Sequence, residues 1–233
     1  ILRSNNRKMK LKAGLFILLV IGLTSCSSVK NTLRHEYTVM SYNVENLYDT
    51  VNDPKIPDEE FLPSSEKKWD VEKYRKKLND IGKVISEVNQ QELPEIIGLA
   101  EVENQQVLAD LVNTENLKGK YGIVHEESPD YRGIDVALIY RKDAFREIAH
   151  EVLPVNFPDD PAFKTRDILH VTGEIRNKAI HIFVNHWPSR IGGDEKTEPK
   201  RILAASVLKK KVDEILASDT KAHIIIMGDM KIG

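Results

Sequence analysis

The sequence predicts an α/β (α+β) fold in which a mixed β-sheet packs against a second sheet, with helices outside. Three observations carry this prediction. Short apolar runs alternate at period two and are bounded by Gly, Pro, Asn and Asp, the pattern of strands. Other segments repeat apolar residues at helical spacing. The order is strand, helix, strand, helix, a run of hairpins, then helix and strand, and a purely doubly wound parallel fold would not place consecutive hairpins in its middle.

The chain has 233 residues, 41% hydrophobic and 30% charged, with a formal net charge of −2. This describes one globular domain, and the charge balance neither demands nor excludes a polyanionic partner. Such a partner has to be met by a local patch. A single cysteine, Cys26, excludes any disulfide within the chain.

The chain opens on Ile1, and Met9 is the first initiator. Lys10 and Lys12 precede an apolar run from Ala13 to Leu23, the n-region and h-region of a secretory signal and too short to span a bilayer. Leu23-Thr24-Ser25-Cys26-Ser27-Ser28 looks like a bacterial lipobox, in which Cys26 is lipidated and becomes the mature N-terminus. The alternative is an ordinary signal peptide that contains a cysteine. Residues 1–26 are thus expected to be signal, 27–36 a tether and 37–233 the domain, the product an exported, lipid-anchored protein of the bacterial cell envelope.

Within the domain, Tyr37 to Leu47 alternates as a first strand, and prolines 54, 57 and 63 mark Tyr48 to Ser65 as a long loop. Loops of that length in a compact domain tend to be functional. Trp69 to Val88 is an amphipathic helix whose basic run, Lys73 to Lys77, reads as its solvated side. A strand over Glu95 to Val102 leads to Asn104, which caps a short helix through Leu111. Strands follow at Tyr121 to Glu126, Ile134 to Tyr140, Arg146 to Pro154, Ile168 to Ile175 and Ala179 to Asn185, with Arg176-Asn177-Lys178 as a tight hairpin connection. Thr197 and Pro199 open a helix with the apolar face Ile202, Ala205, Leu208, Val212 and Ile215. A final strand runs from His223 to Met227.

Four of these strands finish in chemistry-bearing residues. The first runs into Asn43 and Glu45, the second into Glu101 and Glu103, another into His186 and the last into Asp229. Pro188 lacks the N–H that a central strand needs, so the chain leaves the sheet just after His186 and sets its imidazole at a rim. If these ends meet, they form a carboxylate, amide and imidazole cluster at the place where open α/β folds hold ligands. Mg²⁺ favours such oxygens and leaves positions to water and substrate phosphate. Asp229 and His186 would orient and deprotonate an attacking water, and Arg166 enters a strand aimed at the same rim.

In this order, Asn43 after an alternating strand, Glu101 in Gly-Leu-Ala-Glu-Val-Glu-Asn, Arg132-Gly133-Ile134-Asp135-Val136-Ala137, Thr165-Arg166, Asn185-His186-Trp187-Pro188-Ser189 and Gly228-Asp229 resemble the endonuclease/exonuclease/phosphatase superfamily. The resemblance runs from about residue 37 to 229 and is closest to bacterial secreted or lipoprotein members. It implies a four-layered α/β sandwich and metal-dependent phosphoester hydrolysis with Mg²⁺, or Mn²⁺ or Ca²⁺ in its place. By position, Asn43 and Glu101 match the metal-binding pair, His186 a catalytic histidine, Asp229 the aspartate that orients the water, and Arg166 and Tyr131 phosphate-contacting groups. An exported nuclease is the leading expectation, with a phosphomonoesterase, a sphingomyelinase-like phosphodiesterase or an inactive surface-binding lipoprotein as alternatives. Nucleic acid or another phosphoester and the membrane are the expected partners, with no obligate protein partner evident.

Two departures qualify the resemblance. Lys231 stands where the family carries an asparagine, and the family's closing Asp-His stretch is missing, so the chain is expected to be a C-terminally truncated member with little or no activity. His125, His170 and His181 fall within strands and read as structural, as does Trp187. Asp135 either supports the rim or merely occupies a strand.

Overall fold

The computed structural model describes residues 36–89 and 92–231. The expected signal segment, Cys26 and the tether up to residue 35 lie outside the described residues. Glu36–Gly233 makes up one compact unit.

Among the described residues, eight strands form two four-stranded mixed sheets. The first sheet holds β1 (Val39–Leu47), β2 (Ile96–Val102), β3 (Tyr121–His125) and β4 (Asp135–Arg141), in the spatial order β1-β2-β4-β3. The second holds β5 (Arg146–Leu153), β6 (Ile168–Ile175), β7 (Lys178–His186) and β8 (His223–Asp229), in sequence order. Each sheet is one parallel pair, β1 with β2 or β7 with β8, extended by antiparallel neighbours. The parallel pairs need crossovers, and helices supply them. Among the described residues these are α1 (Val71–Glu87) between β1 and β2, and α3 (Asp194–Ser218) between β7 and β8; α2 (Gln105–Val112) joins β2 to β3.

The layering follows from which faces are apolar. Ile96, Ala100, Val136 and Leu138 of the first sheet meet Leu169, Val171, Ile182, Val184 and Met227 of the second in one dry cluster. The outer face of the first sheet buries Ile97, Leu99 and Ile139 under Leu78, Ile81 and Ile85 of α1 and Leu108 and Leu111 of α2. Ala204, Leu208 and Ile215 of α3 cover Ile168 and Phe183 on the far side. The order is helix, sheet, sheet, helix, as expected. Central strands covered on both faces must be apolar throughout. Accordingly β2 and β4 are buried along almost their whole length, whereas the edge strand β5 is mostly exposed.

Local signals set the element ends. Asp70 caps α1 by accepting from Lys73 N, and Asn104 caps α2 by accepting from both Gln106 N and Val107 N. Arg176 and Asn177 take φ of 49° and 62°, the pair of left-handed residues that closes a two-residue hairpin between β6 and β7.

The structure departs from the sequence reading at α3. The helix begins at Asp194, so Pro199 lies inside it instead of opening it. Ile202, expected on the core face, is 58% exposed, because the buried row is Thr197, Ala204, Leu208 and Ile215. The other four residues of the expected face hold: Leu208 and Ile215 are buried, and Ala205 and Val212 pack against the same cluster. No helix among the described residues is long and apolar enough to cross a membrane.

Candidate active site

The parallel pairs bring four strand ends to one rim. Asn43 pairs with Ala100 across β1 and β2, and His186 with Asp229 across β7 and β8. Just past Asn43 the register of β1 shifts, with Glu45 and Asn46 at φ of 56° and 61°. Past Ala100 the register of the β2–β4 pair shifts as well, with Glu101 at φ 67°. Such bulges re-aim side chains and store backbone strain, which persists where the surroundings over-determine it.

Asn43 ties the two halves together. Its Nδ2 donates to Glu101 Oε1 at 2.9 Å and to Asp229 Oδ2 at 3.1 Å, while its Oδ1 accepts from Glu45 N at 2.8 Å. Glu101 Oε1 lies 3.7 Å from His186 Nε2. Asn43, Glu101, His186 and Asp229 therefore converge as the sequence expects. Asn43 presents its NH₂ to the carboxylates, so in this arrangement the converging oxygens are those of Glu101 and Asp229.

Electrostatics separates the roles of these groups. Burial, and after it the charge of Arg166, pushes the His186 imidazole down to about 2, so it is neutral at ordinary pH. Its Nδ1 is buried without a hydrogen-bond partner. Burial pushes the Asp229 carboxyl up, but the Lys231 ammonium, hydrogen-bonded to Asp229 Oδ2, and the Asn43 amide outweigh it and hold the group below the usual carboxylate range. Lys231, at the family's asparagine position, thus neutralises the aspartate.

Arg166 is fully engaged by the rim itself. Its Nε donates to His186 O at 3.1 Å, its Nη2 to Trp187 O at 2.8 Å and its Nη1 to Asp130 Oδ2 at 2.9 Å. The side chain is 6% exposed. It locks the end of β7 in place, so its positioning role is plainer than the phosphate contact expected of it. Asp130 is a partner that sequence reading does not single out. The one available signal was its setting in Pro-Asp-Tyr-Arg-Gly, where its Oδ1 accepts from Arg132 N at 3.0 Å. Next to it Tyr131 stands 69% exposed, on the loop that Arg166 anchors.

Glu103, also expected at the rim, turns away from it. Its Oε2 accepts from Asp49 N at 2.7 Å. Burial raises its carboxyl against that hydrogen bond, and Asp49, Asp58 and Asp53 add to the push, to about 8. It braces the loop after β1 and does not join the cluster. Trp187 is a packing residue, 9% exposed, with its indole donating to Asn185 Oδ1 at 3.1 Å.

Two carboxylates in reach of one amide, with no closed cage around them, suit a hard divalent cation that keeps water or substrate among its ligands. An amide, a neutral imidazole and an ionised carboxylate beside them are the parts of a site that positions and deprotonates water.

Comparison with known proteins agrees in fold. A family model described as the endonuclease/exonuclease/phosphatase family matches residues 38–232. A mannosyl-6-phosphatase of Bacteroides thetaiotaomicron superposes with a TM-score of 0.55 at 17% identity, over 84% of this chain and 66% of that one. Truncated TDP2 of Caenorhabditis elegans gives 0.53 at 19% identity, over 70% and 58%, and a functionally unknown conserved protein of Enterococcus faecalis gives 0.52 at 16%, over 83% and 66%. The chain spans a little over half the length of the nematode structure. No curated protein matches the sequence.

Proposed function

Because the chain belongs to the endonuclease/exonuclease/phosphatase family, whose members hydrolyse phosphoesters and generally depend on divalent metals, we propose that it is a Mg²⁺-assisted phosphodiesterase acting on nucleic acid. The observation that carries this reading is the meeting of Asn43, Glu101, His186 and Asp229 at one rim from both sheets.

Glu101 would hold the ion, which would supply charge neutralisation for the phosphate and acidify water. Asn43 keeps the two carboxylates in register by donating to both. Asp229, ionised in the fold, would accept a hydrogen bond from the attacking water and take its proton as the water oxygen bonds to phosphorus and the P–O bond to the leaving alkoxide breaks, the alkoxide taking a proton from solvent water. His186, neutral, has a nitrogen free to stabilise the developing charge by hydrogen bonding. Arg166 fixes the backbone that carries His186. Exposed Tyr131 offers a face for a base, and Arg132, 40% exposed, a charge for a backbone phosphate, the pairing by which single strands are gripped without sequence preference.

The test is hydrolysis of single-stranded DNA, of bis(p-nitrophenyl) phosphate and of the monoester p-nitrophenyl phosphate, each with Mg²⁺ and with EDTA. The expected result is EDTA-sensitive cleavage of both diesters, slow because Lys231 occupies the family's asparagine position, and reduced about a further hundredfold in Glu101→Gln. Preference for the monoester would replace the diester reading with a phosphatase one. Cleavage indifferent to EDTA and to Glu101→Gln would end the reading altogether.

A further inference from the structure

The facing ends of β3 and β4 hold a second group of ligand atoms, which the chemistry above does not use. His125 closes β3, Asp135 opens β4, and Glu127 lies in the loop between them. One donor atom from each lies within 4.8 Å of the others. His125 Nε2 and Asp135 Oδ2 face each other at 3.3 Å, on side chains 2% and 1% exposed. Both atoms are buried without a hydrogen-bond partner.

Leaving a buried polar atom unpaired costs about 1–3 kcal/mol, so two such atoms turned toward each other call for a shared partner. A hydrogen bond between them is the simplest one, but their angle does not make it. A metal ion explains the arrangement better. In tetrahedral coordination with bonds of about 2.0–2.2 Å, neighbouring donors stand roughly 3.3–3.6 Å apart, and His125 Nε2 and Asp135 Oδ2 are at the lower end of that range. Asp135 is also prepared as a ligand, because its other oxygen accepts from Ser128 N at 2.9 Å and from the Ser128 hydroxyl. Metal-bound carboxylates are held in this way by outer hydrogen bonds that fix their orientation.

We propose that His125, Glu127 and Asp135 bind a borderline first-row divalent cation, Zn²⁺ or one like it, with the fourth position left to water. An imidazole nitrogen beside two carboxylates suits that class, whereas Mg²⁺ and Ca²⁺ take oxygen ligands. The ion would close the loop over residues 126–134 at its base. That loop carries Asp130, which holds Arg166, and exposed Tyr131. The second ion is thus a staple for the rim, independent of the substrate that the first site takes.

The test is Zn²⁺ binding to the full chain by equilibrium dialysis in excess Mg²⁺, with X-ray absorption to identify the ligands. The parent and Glu101→Gln each retain one Zn²⁺, His125→Gln loses it, and Glu127→Gln weakens it by about tenfold or more. The bound ion shows one nitrogen and the rest oxygen in its first shell, and at equal concentration it raises the melting temperature of the parent more than that of Glu127→Gln. Glu127 is exposed, so its substitution spares the core and keeps the test decisive. Affinity unchanged in both His125→Gln and Glu127→Gln, or Zn²⁺ lost in Glu101→Gln, overturns the proposal.

Discussion

His186 is 3% exposed and neutral, because burial and then the charge of Arg166 depress its pKa to about 2. In the unfolded chain the imidazole titrates near 6.5. The unfolded state therefore binds the extra proton first, and the stability that His186 contributes is complete above pH 6.5 and is lost as pH falls toward 2. At about 1.4 kcal/mol per pH unit, acidification from pH 6.5 to 5 should cost about 2 kcal/mol through this residue. Urea denaturation at both pH values should show that loss in the parent and a correspondingly smaller one in His186→Asn. Equal losses would mean that the imidazole is not held neutral. Single residues were the most legible scale here, since Asn43, Glu101, His186 and Asp229 are polar groups at the ends of apolar runs, and a polar group there is either solvated or gathered into a site. Asp130 was illegible because it acts through Arg166, a partner that no local pattern marks, and Lys231 was legible as a departure from the family's asparagine but not as the partner of Asp229. Glu103 misled for the same reason: its partner, Asp49, lies in a loop without pattern.

Elements were legible wherever one local signal fixed an end. Apolar spacing from Trp69 placed the start of α1 to within two residues, Asn104 placed that of α2, and the Arg176-Asn177 turn placed the β6–β7 hairpin. The start of α3 was not legible, because Gly193 gives it no side-chain cap. Pro199 resembles a first-turn proline but sits a full turn inside the helix. With no N–H to offer the preceding turn, it should cost the helix up to about 3 kcal/mol. Pro199→Ala is accordingly expected to raise stability by about 1–3 kcal/mol, read as an upward shift in the urea midpoint with an unchanged slope. A lower midpoint would show that the proline's rigidity in the unfolded chain outweighs the bond it omits.

At the scale of the whole molecule, two sheets touch through Gly98. A Cβ built there would collide with Met227 Sδ and stand 3.2 Å from Val184 Cγ1, so a bare backbone at this point lets β2 approach β7 and β8 closely. Gly98→Val should cost about 2–3 kcal/mol by overpacking, and Met227→Ala in the same chain should return part of it, since the two sites share one volume. Strictly additive losses in the double variant would place the contact elsewhere. The sequence announced two sheets and outer helices through its order of elements, but which faces would press together depends on side chains that meet only in the folded chain.

The hydrogen bonds from Asn43 join Glu101 and Asp229, yet Asn43 and Asp229 are 186 positions apart in the chain. Bringing such distant points together carries a loop-closure cost of about 4–5 kcal/mol, and contacts of that range form late in folding. Each sheet can assemble from near neighbours, but the rim exists only after both have docked. A chain with only one sheet formed therefore has half of the rim's side chains and none of the hydrogen bonds that join Asn43 to Asp229. The rim is a property of the complete sandwich and of neither sheet alone.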